Sequence, residues 1–238
     1  MRGPYLAASP SNSKLIPKYT DGNQGIGYET AKNLVLSSQD YHVILGSRDI
    51  SKGEAAVEGV KGTVSSTQID VTDDRLDVLV NNAGIVSLAS PPTRETFRHI
   101  LETNAVGSLS VTEAFLDLLR KAAHKPSRLV FVSSSTGSIT HAADPNLPYH
   151  NAGGAMEYRI SKAAVNMMMV MYYARLKPEG LLVFGADPGL CATNFTENAA
   201  ALRNRGAAEA WQGGERVASV IKGDDVGRVL GVYSVSPW

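Results

Sequence analysis

Thr20-Asp21-Gly22-Asn23-Gln24-Gly25-Ile26-Gly27 is the stretch that decides the fold. It stands between a short run, Leu15–Tyr19, and a segment of helical spacing, Tyr28–Ser37. Glycines at the entrance of a helix let a phosphate approach the backbone. The helix N-terminus adds unpaired N–H groups and the positive end of its dipole. Turns use glycine without any ligand too, so context decides. Downstream, Tyr41–Leu45, Val64–Val71, Leu76–Val80, Arg128–Val132 and Leu181–Gly185 read as short strands. Ile50–Val60, Glu95–Ala123 (interrupted near Gly107) and Ala155–Arg175 read as helices between them. This alternation predicts an α/β fold: a doubly wound parallel sheet with crossover helices, binding ligands beyond the carboxyl ends of its strands.

The 238 residues suit one folded unit over 14–238, with 1–13, rich in Pro, Ser and Asn, as a flexible N-terminal tail. Lys+Arg and Asp+Glu balance at 23 each, which argues against a nucleic-acid partner and against an acidic tail. A single cysteine, Cys191, makes neither an intrachain disulfide nor a zinc cluster, and the histidines lack ligand spacing, so no metal is expected. The N-terminus lacks the apolar core of a signal peptide. No run approaches the ~18–20 apolar residues of a membrane span. A cytoplasmic protein with a small-molecule partner is expected.

Arg48, in Gly46-Ser47-Arg48, follows the second strand and lies 21 residues after Gly27. An acidic residue near that place holds ribose hydroxyls, whereas an Arg accommodates a 2′-phosphate, so NADP(H) is expected. Asp49, next to it, leaves NAD(H) as the alternative. Tyr158 and Lys162 are four residues apart, which on a helix sends both side chains from one face. A neighbouring ammonium favours the phenolate and pulls the Tyr pKa down from ~10 toward the range of an acid catalyst.

Together these pieces resemble the short-chain dehydrogenase/reductase family over roughly residues 14–195, and its fungal carbonyl-reductase-like members through Asn23–Glu29 and Val43–Arg48. The resemblance implies a Rossmann fold and a set of site residues. The glycine turn Gly22, Asn23, Gln24, Gly25, Ile26 and Gly27 holds the pyrophosphate. Asp70 contacts the adenine, and Asn82, Ala83 and Gly84 form the motif after the fourth strand. Pro188, Gly189 and Thr193 cover the nicotinamide. Ser134, with Ser133 and Ser135 as alternatives, hydrogen-bonds a substrate carbonyl, and Tyr158 delivers the proton. Lys162 tunes Tyr158 and holds the ribose, while Asn104 orders a water that returns the proton. It also implies a homodimer or homotetramer through the helices at 95–123 and 155–175, with Met167, Met168, Met169 and Met171 as packing residues. Residues 136–156 and 190–216 are expected as substrate loops, with His150 exposed on the first.

Three departures point the other way. Asp21 stands where the family has its first glycine, setting a carboxylate against the pyrophosphate. Pro17 and Lys18 fall in a strand that should be central and apolar, and Lys18 is expected to leave the core. The crossover helix between the third and fourth strands is missing, since Val71 ends one and Leu76 begins the next. In the order 3-2-1-4 that link must cover about 22 Å, and 72–76 reach at most about 20 Å fully extended. The standard topology therefore closes only if strand ends unravel. The alternative function is a shortened, non-catalytic relative with weak cofactor binding.

Overall fold

A computed structural model of the chain describes residues 17–38, 41–47, 49–60, 64–67, 76–88, 90–147, 150, 155–223, 227–231 and 234–236. Its strands are β1 (Pro17–Tyr19), β2 (Val43–Gly46), β3 (Val64–Thr67), β4 (Val78–Asn81), β5 (Arg128–Val132), β6 (Leu182–Ala186), β7 (Cys191–Ala192), β8 (Ala208–Glu209), β9 (Val229–Gly231) and β10 (Ser234–Ser236). Eight of them form one sheet in the order β10-β9-β6-β5-β4-β1-β2-β3, all parallel except the β9–β10 pair. The short β7 and β8 pair with each other.

Helices α1 (Gly25–Ser37), α2 (Ile50–Glu58), α3 (Arg94–Leu101), α4 (Gly107–Arg120), α5 (Ile139–Ala143), α6 (Met156–Leu176), α7 (Ala199–Asn204) and α8 (Ala210–Lys222) complete the fold. Successive strand residues point to opposite faces, and both faces are covered. Val78, Val80, Val130 and Phe184 join Ala31, Leu34 and Val217 in one core, toward α1 and α8. Leu79, Leu129, Phe131 and Val183 join Phe115, Val165 and Met169 in the other, toward α4 and α6. Two covered faces explain why the strands read as continuous apolar runs.

The doubly wound order is as expected, and one local expectation is corrected. Lys18 does not leave the core: it is 3% exposed, shares Leu79's face, and its Nζ stands 4.7 Å from the Phe115 ring centroid. Its apolar stem and an aromatic face make such burial tolerable. The third strand is described over Val64–Thr67 and stands beside β2 in the order β4-β1-β2-β3, and the rest of the expected strand, to Val71, lies outside the described residues. Residues 68–75 lie outside those described, as do the tail 1–13, Arg48 and Asp70. Pro17 is matched by Val78 of β4, while the register with β2 starts at Lys18, as suits a residue without an N–H.

The break near Gly107 is a π-helical turn, Glu102–Val106, joining α3 to α4. The stretch 190–216 holds β7, α7, β8 and the first turns of α8. Gly213 and Gly214 lie inside α8 because α1 comes close: a Cβ on Gly214 would meet the Glu29 carbonyl carbon at 2.7 Å.

Candidate active site

The glycine turn is locked to the end of β4. Thr20 Oγ1 accepts from the amides of Asn82 and Ala83, each at 2.9 Å. Asn82 Nδ2 donates to the carbonyls of Thr20 (3.1 Å) and Asp21 (3.0 Å). Gly27 must be glycine, since a Cβ there would stand 2.6 Å from Asn82 Nδ2 and 3.0 Å from Gly22 Cα. Helix α1 begins at Gly25, so the turn leads directly into a helix N-terminus, with Gln24 as N-cap and no side chain capping it. Thr193 covers this turn: its Cγ2 lies 3.8 Å from where a Gly25 Cβ would be. Beside it, a cavity of about 410 Å³ is lined by Asn23, Gln24, Tyr28, Lys52, Ala55 and Ala56.

Asp21 adopts φ +52°, the left-handed region that favours glycine. Gly22 does not replace it at the phosphate side, because its amide is committed to Gly46 O at 3.0 Å. Asp21→Gly is expected to tighten nicotinamide-nucleotide binding about tenfold by removing the carboxylate, and to leave the melting temperature equal or a few degrees higher. Fluorescence titration with NADPH and thermal melting check it; weaker binding would mean the carboxylate points away from the nucleotide.

The other half of the site stands at the ends of β5 and β6. Ser134 Oγ accepts from the Thr136 hydroxyl (2.9 Å) and amide (3.2 Å), which frees its own proton for the Tyr158 hydroxyl. Gly137 brings this loop onto α6. Lys162 is buried, donates to Val132 O at 2.7 Å, and lies 5.5 Å from the Tyr158 ring centroid. Buried Asn104, on the π turn, accepts from Ile85 N (2.8 Å) and donates to Ile85 O (2.9 Å) and Ser161 Oγ (2.9 Å). A Cβ on Gly84 would stand 3.4 Å from Asn104 Oδ1 and 3.7 Å from Lys162 Nζ, so a bare backbone keeps open the space between the two halves. The glycine turn, Gly84 and Lys162 are the residues here that could cradle a dinucleotide.

The electrostatics correct the expected tuning of the tyrosine. Burial, and then the Asp187 charge, push the Tyr158 phenol up, and the hydrogen bond from Ser134 opposes them. The Lys162 ammonium is turned to Val132 O. Burial brings Lys162 itself down from 10.5 to about 8, against the pull of Asp187. Between these values the unfolded chain holds a proton that the folded one has lost, so stability rises with pH from about 8 toward 10.5. The raised phenol acts oppositely above its ordinary value of 10.0. The melting temperature is therefore expected to rise between pH 8 and 10, in the window those shifts define, with Lys162→Met flattening the rise. A wild-type profile as flat as that variant's would contradict the burial of a titrating ammonium.

Several residues here carry no sequence signal. Phe195 sets its ring edge-on to Tyr158 at 5.7 Å and is 42% exposed. Asp187 accepts from the amides of Ser135 and Gly189. Ser133 Oγ donates to Asn166 Oδ1, which turns it away from the Tyr158 hydroxyl, and Ser135 sits in the loop through its amide. Pro188 O is held by Arg216 Nη1 at 2.7 Å. His150 is exposed, with Nδ1 2.9 Å from Ala142 O.

A family model of the short chain dehydrogenases matches residues 18–204. A short-chain dehydrogenase/reductase, tropE, of Talaromyces stipitatus is 32% identical over 256 residues, covering 92% of this chain and 96% of that protein. That span exceeds the chain's own 238 residues, so the match opens gaps in it. The short-chain dehydrogenase anuI of Penicillium roqueforti is 34% identical over 77% of this chain and 81% of its own. Among solved structures, salutaridine reductase from Papaver somniferum superposes with a TM-score of 0.71 at 25% identity, covering 91% of this chain and 99% of that one. The carbonyl reductase Sniffer of D. melanogaster gives 0.76 at 21% identity, covering 95% and 100%, a likeness of fold.

Proposed function

The chain belongs to the short chain dehydrogenase family, an oxidoreductase family that works with nicotinamide cofactors, and on that premise we propose that it is an NADP(H)-dependent enzyme interconverting a carbonyl and an alcohol. The observation that supports this is the proximity of Ser134 and Lys162 to Tyr158, and of Asn104 and Lys162 to Gly84, beyond the ends of β4 and β5. The cofactor, when bound, supplies or accepts the hydride. Gly22, Asn23, Gln24, Gly25, Ile26 and Gly27 receive its pyrophosphate. Asn82, Ala83, Gly84, Pro188, Gly189 and Thr193 line its nicotinamide half. Lys52, on the wall of the cavity beside the turn, favours a phosphate-bearing nucleotide there, and Arg48 and Asp70, outside the described residues, are the adenosine-end candidates that the sequence resemblance offers.

Ser134 donates a hydrogen bond to the substrate carbonyl oxygen, and Tyr158 gives that oxygen its proton. A raised phenol stays protonated at neutral pH, which suits the reducing direction. Lys162 holds the ribose hydroxyls, and Asn104 orders the water through which the proton is replaced. In the reverse direction Tyr158 accepts the alcohol proton. Phe195 offers an exposed ring over the catalytic hydroxyl to an apolar substrate.

The π turn, α4 and α6 present Val106, Leu109, Ile160, Met167 and Met171 to solvent, while Met169 fills the core. We place a homodimer or homotetramer interface on that face. Light scattering should give twice or four times the 25.3 kDa chain mass, and Met167→Glu with Met171→Glu should return it to one.

The test of the activity is NADPH consumption over a panel of ketones and quinones. Asp21 and the short link favour a second reading, a folded relative with weak cofactor binding. A cooperative melt that NADPH does not raise, without turnover on any carbonyl, would establish that reading instead.

A further inference from the structure

We propose that Asp187 is a positioning residue of this site: its carboxylate joins the Ser134 loop to the Pro188–Gly189 loop and supplies the counter-charge to Lys162. The proposal deepens the oxidoreductase reading and rests on it for the roles of Ser134 and Lys162.

The strands β5 and β6 run paired as far as Val132 and Ala186. One more rung follows, from Ser133 N to Ala186 O at 2.8 Å. Beyond it the two chains leave the sheet for separate loops, and a side chain takes over from the backbone. Asp187 is 3% exposed. Its Oδ2 accepts from Ser135 N at 2.8 Å and its Oδ1 from Gly189 N at 2.8 Å. Its own amide donates to Leu230 O at 2.7 Å, so the backbone beneath the carboxylate is anchored to β9. One carboxylate therefore holds the amide next to Ser134 and the amide of the glycine that turns the loop over the nicotinamide space.

Amide donors solvate a carboxylate without cancelling its charge. That charge stands within a buried site shared with Tyr158 and Lys162 of α6, where it favours the protonated form of each. Arg216 of α8 holds Pro188 O, Cys191 donates to the same carbonyl, and Arg159 of α6 donates to Thr136 O. Asparagine in this place would offer one acceptor to two amides and no charge. Loop geometry and Lys162 ionisation are thus tied to a single side chain.

The test uses the full-length, cofactor-free chain with lysines labelled for NMR, and the Lys162 signal assigned by its loss in Lys162→Met. The wild-type midpoint is expected near 8. Asp187→Asn should lower it by about half a pH unit or more, whereas Asp187→Glu, which keeps the charge, should hold it near the wild-type value. Asp187→Ser replaces Asp187→Asn if circular dichroism shows the latter unfolded. The high-pH limit of carbonyl reduction should move to lower pH in the same variant. An unmoved Lys162 midpoint, or equal shifts in Asn and Glu variants, would overturn the counter-charge. Because the titration needs no turnover, a shifted midpoint in an inactive protein supports Asp187 while refuting the oxidoreductase reading. An active enzyme with an unmoved midpoint does the reverse.

Discussion

Tyr158→Phe should reduce NADPH-dependent carbonyl reduction by about a hundredfold to ten-thousandfold, the range expected for a lost general acid, while the protein stays folded. The substitution removes one oxygen and keeps the ring, so the edge-on contact with Phe195 survives. The hydroxyl's bond to Ser134 is lost, at a cost of about 1 kcal/mol. For a chain of this size that lowers the melting temperature by ~2–4 °C. Cofactor affinity should change little, because the cradle rests on the glycine turn, Gly84 and Lys162. The discriminating pattern is a collapse of kcat with a nearly unchanged NADPH dissociation constant. Turnover that persists without the hydroxyl would show that another group delivers the proton.

What could be read from the sequence, and what could not, divides along a physical line. β4 and β5 are short apolar runs whose residues alternate between two cores, and period and composition reveal such strands before any contact is known. Tyr158, Lys162, Ser134 and Asn104 stand in local patterns, so their meeting at one strand edge followed from the order of elements. The misjudged features depend on partners far along the chain. Lys18 looked too polar for a central strand until Phe115 came beneath it. Gly213 and Gly214 suggest a loop, yet they are where α8 approaches α1. Asp187 precedes Pro188 and Gly189 as a turn residue would; its role exists only because β5 and β6 are neighbours. The direction of the Tyr158 shift was misread for a related reason. A spacing of four residues states proximity, whereas burial and Asp187, which decide the shift, come from the rest of the fold.

Gly137→Ala tests whether the Ser134 loop is locked to α6, and a large loss is expected. A Cβ at this position would lie 2.6 Å from the carbonyl carbon of Lys162, 2.7 Å from the amide nitrogen of Ala163 and 2.9 Å from Lys162 Cβ. The first two are backbone atoms in the middle of α6, a 21-residue helix whose Met169, Tyr172 and Leu176 are buried, so the helix cannot yield without disturbing the core. The loop must lift instead, and it is held by Ser135 N on Asp187 and by Ser133 N on Ala186 O. Overpacking of this kind costs ~1–3 kcal/mol, or about 2–12 °C in melting temperature. Lifting the loop also withdraws Ser134 from Tyr158, so activity should fall at least tenfold, a larger effect than the loss of stability alone implies. Gly180→Ala is the matched control: its φ of +78° makes an alanine strained, but nothing lies within 4 Å of the added methyl. It should lower the melting temperature by a few degrees and leave kcat intact. If Gly137→Ala instead melts with the wild type and turns over normally, the contact that sets Ser134 against Tyr158 is absent in solution, and the placement of Ser134 as carbonyl donor falls with it.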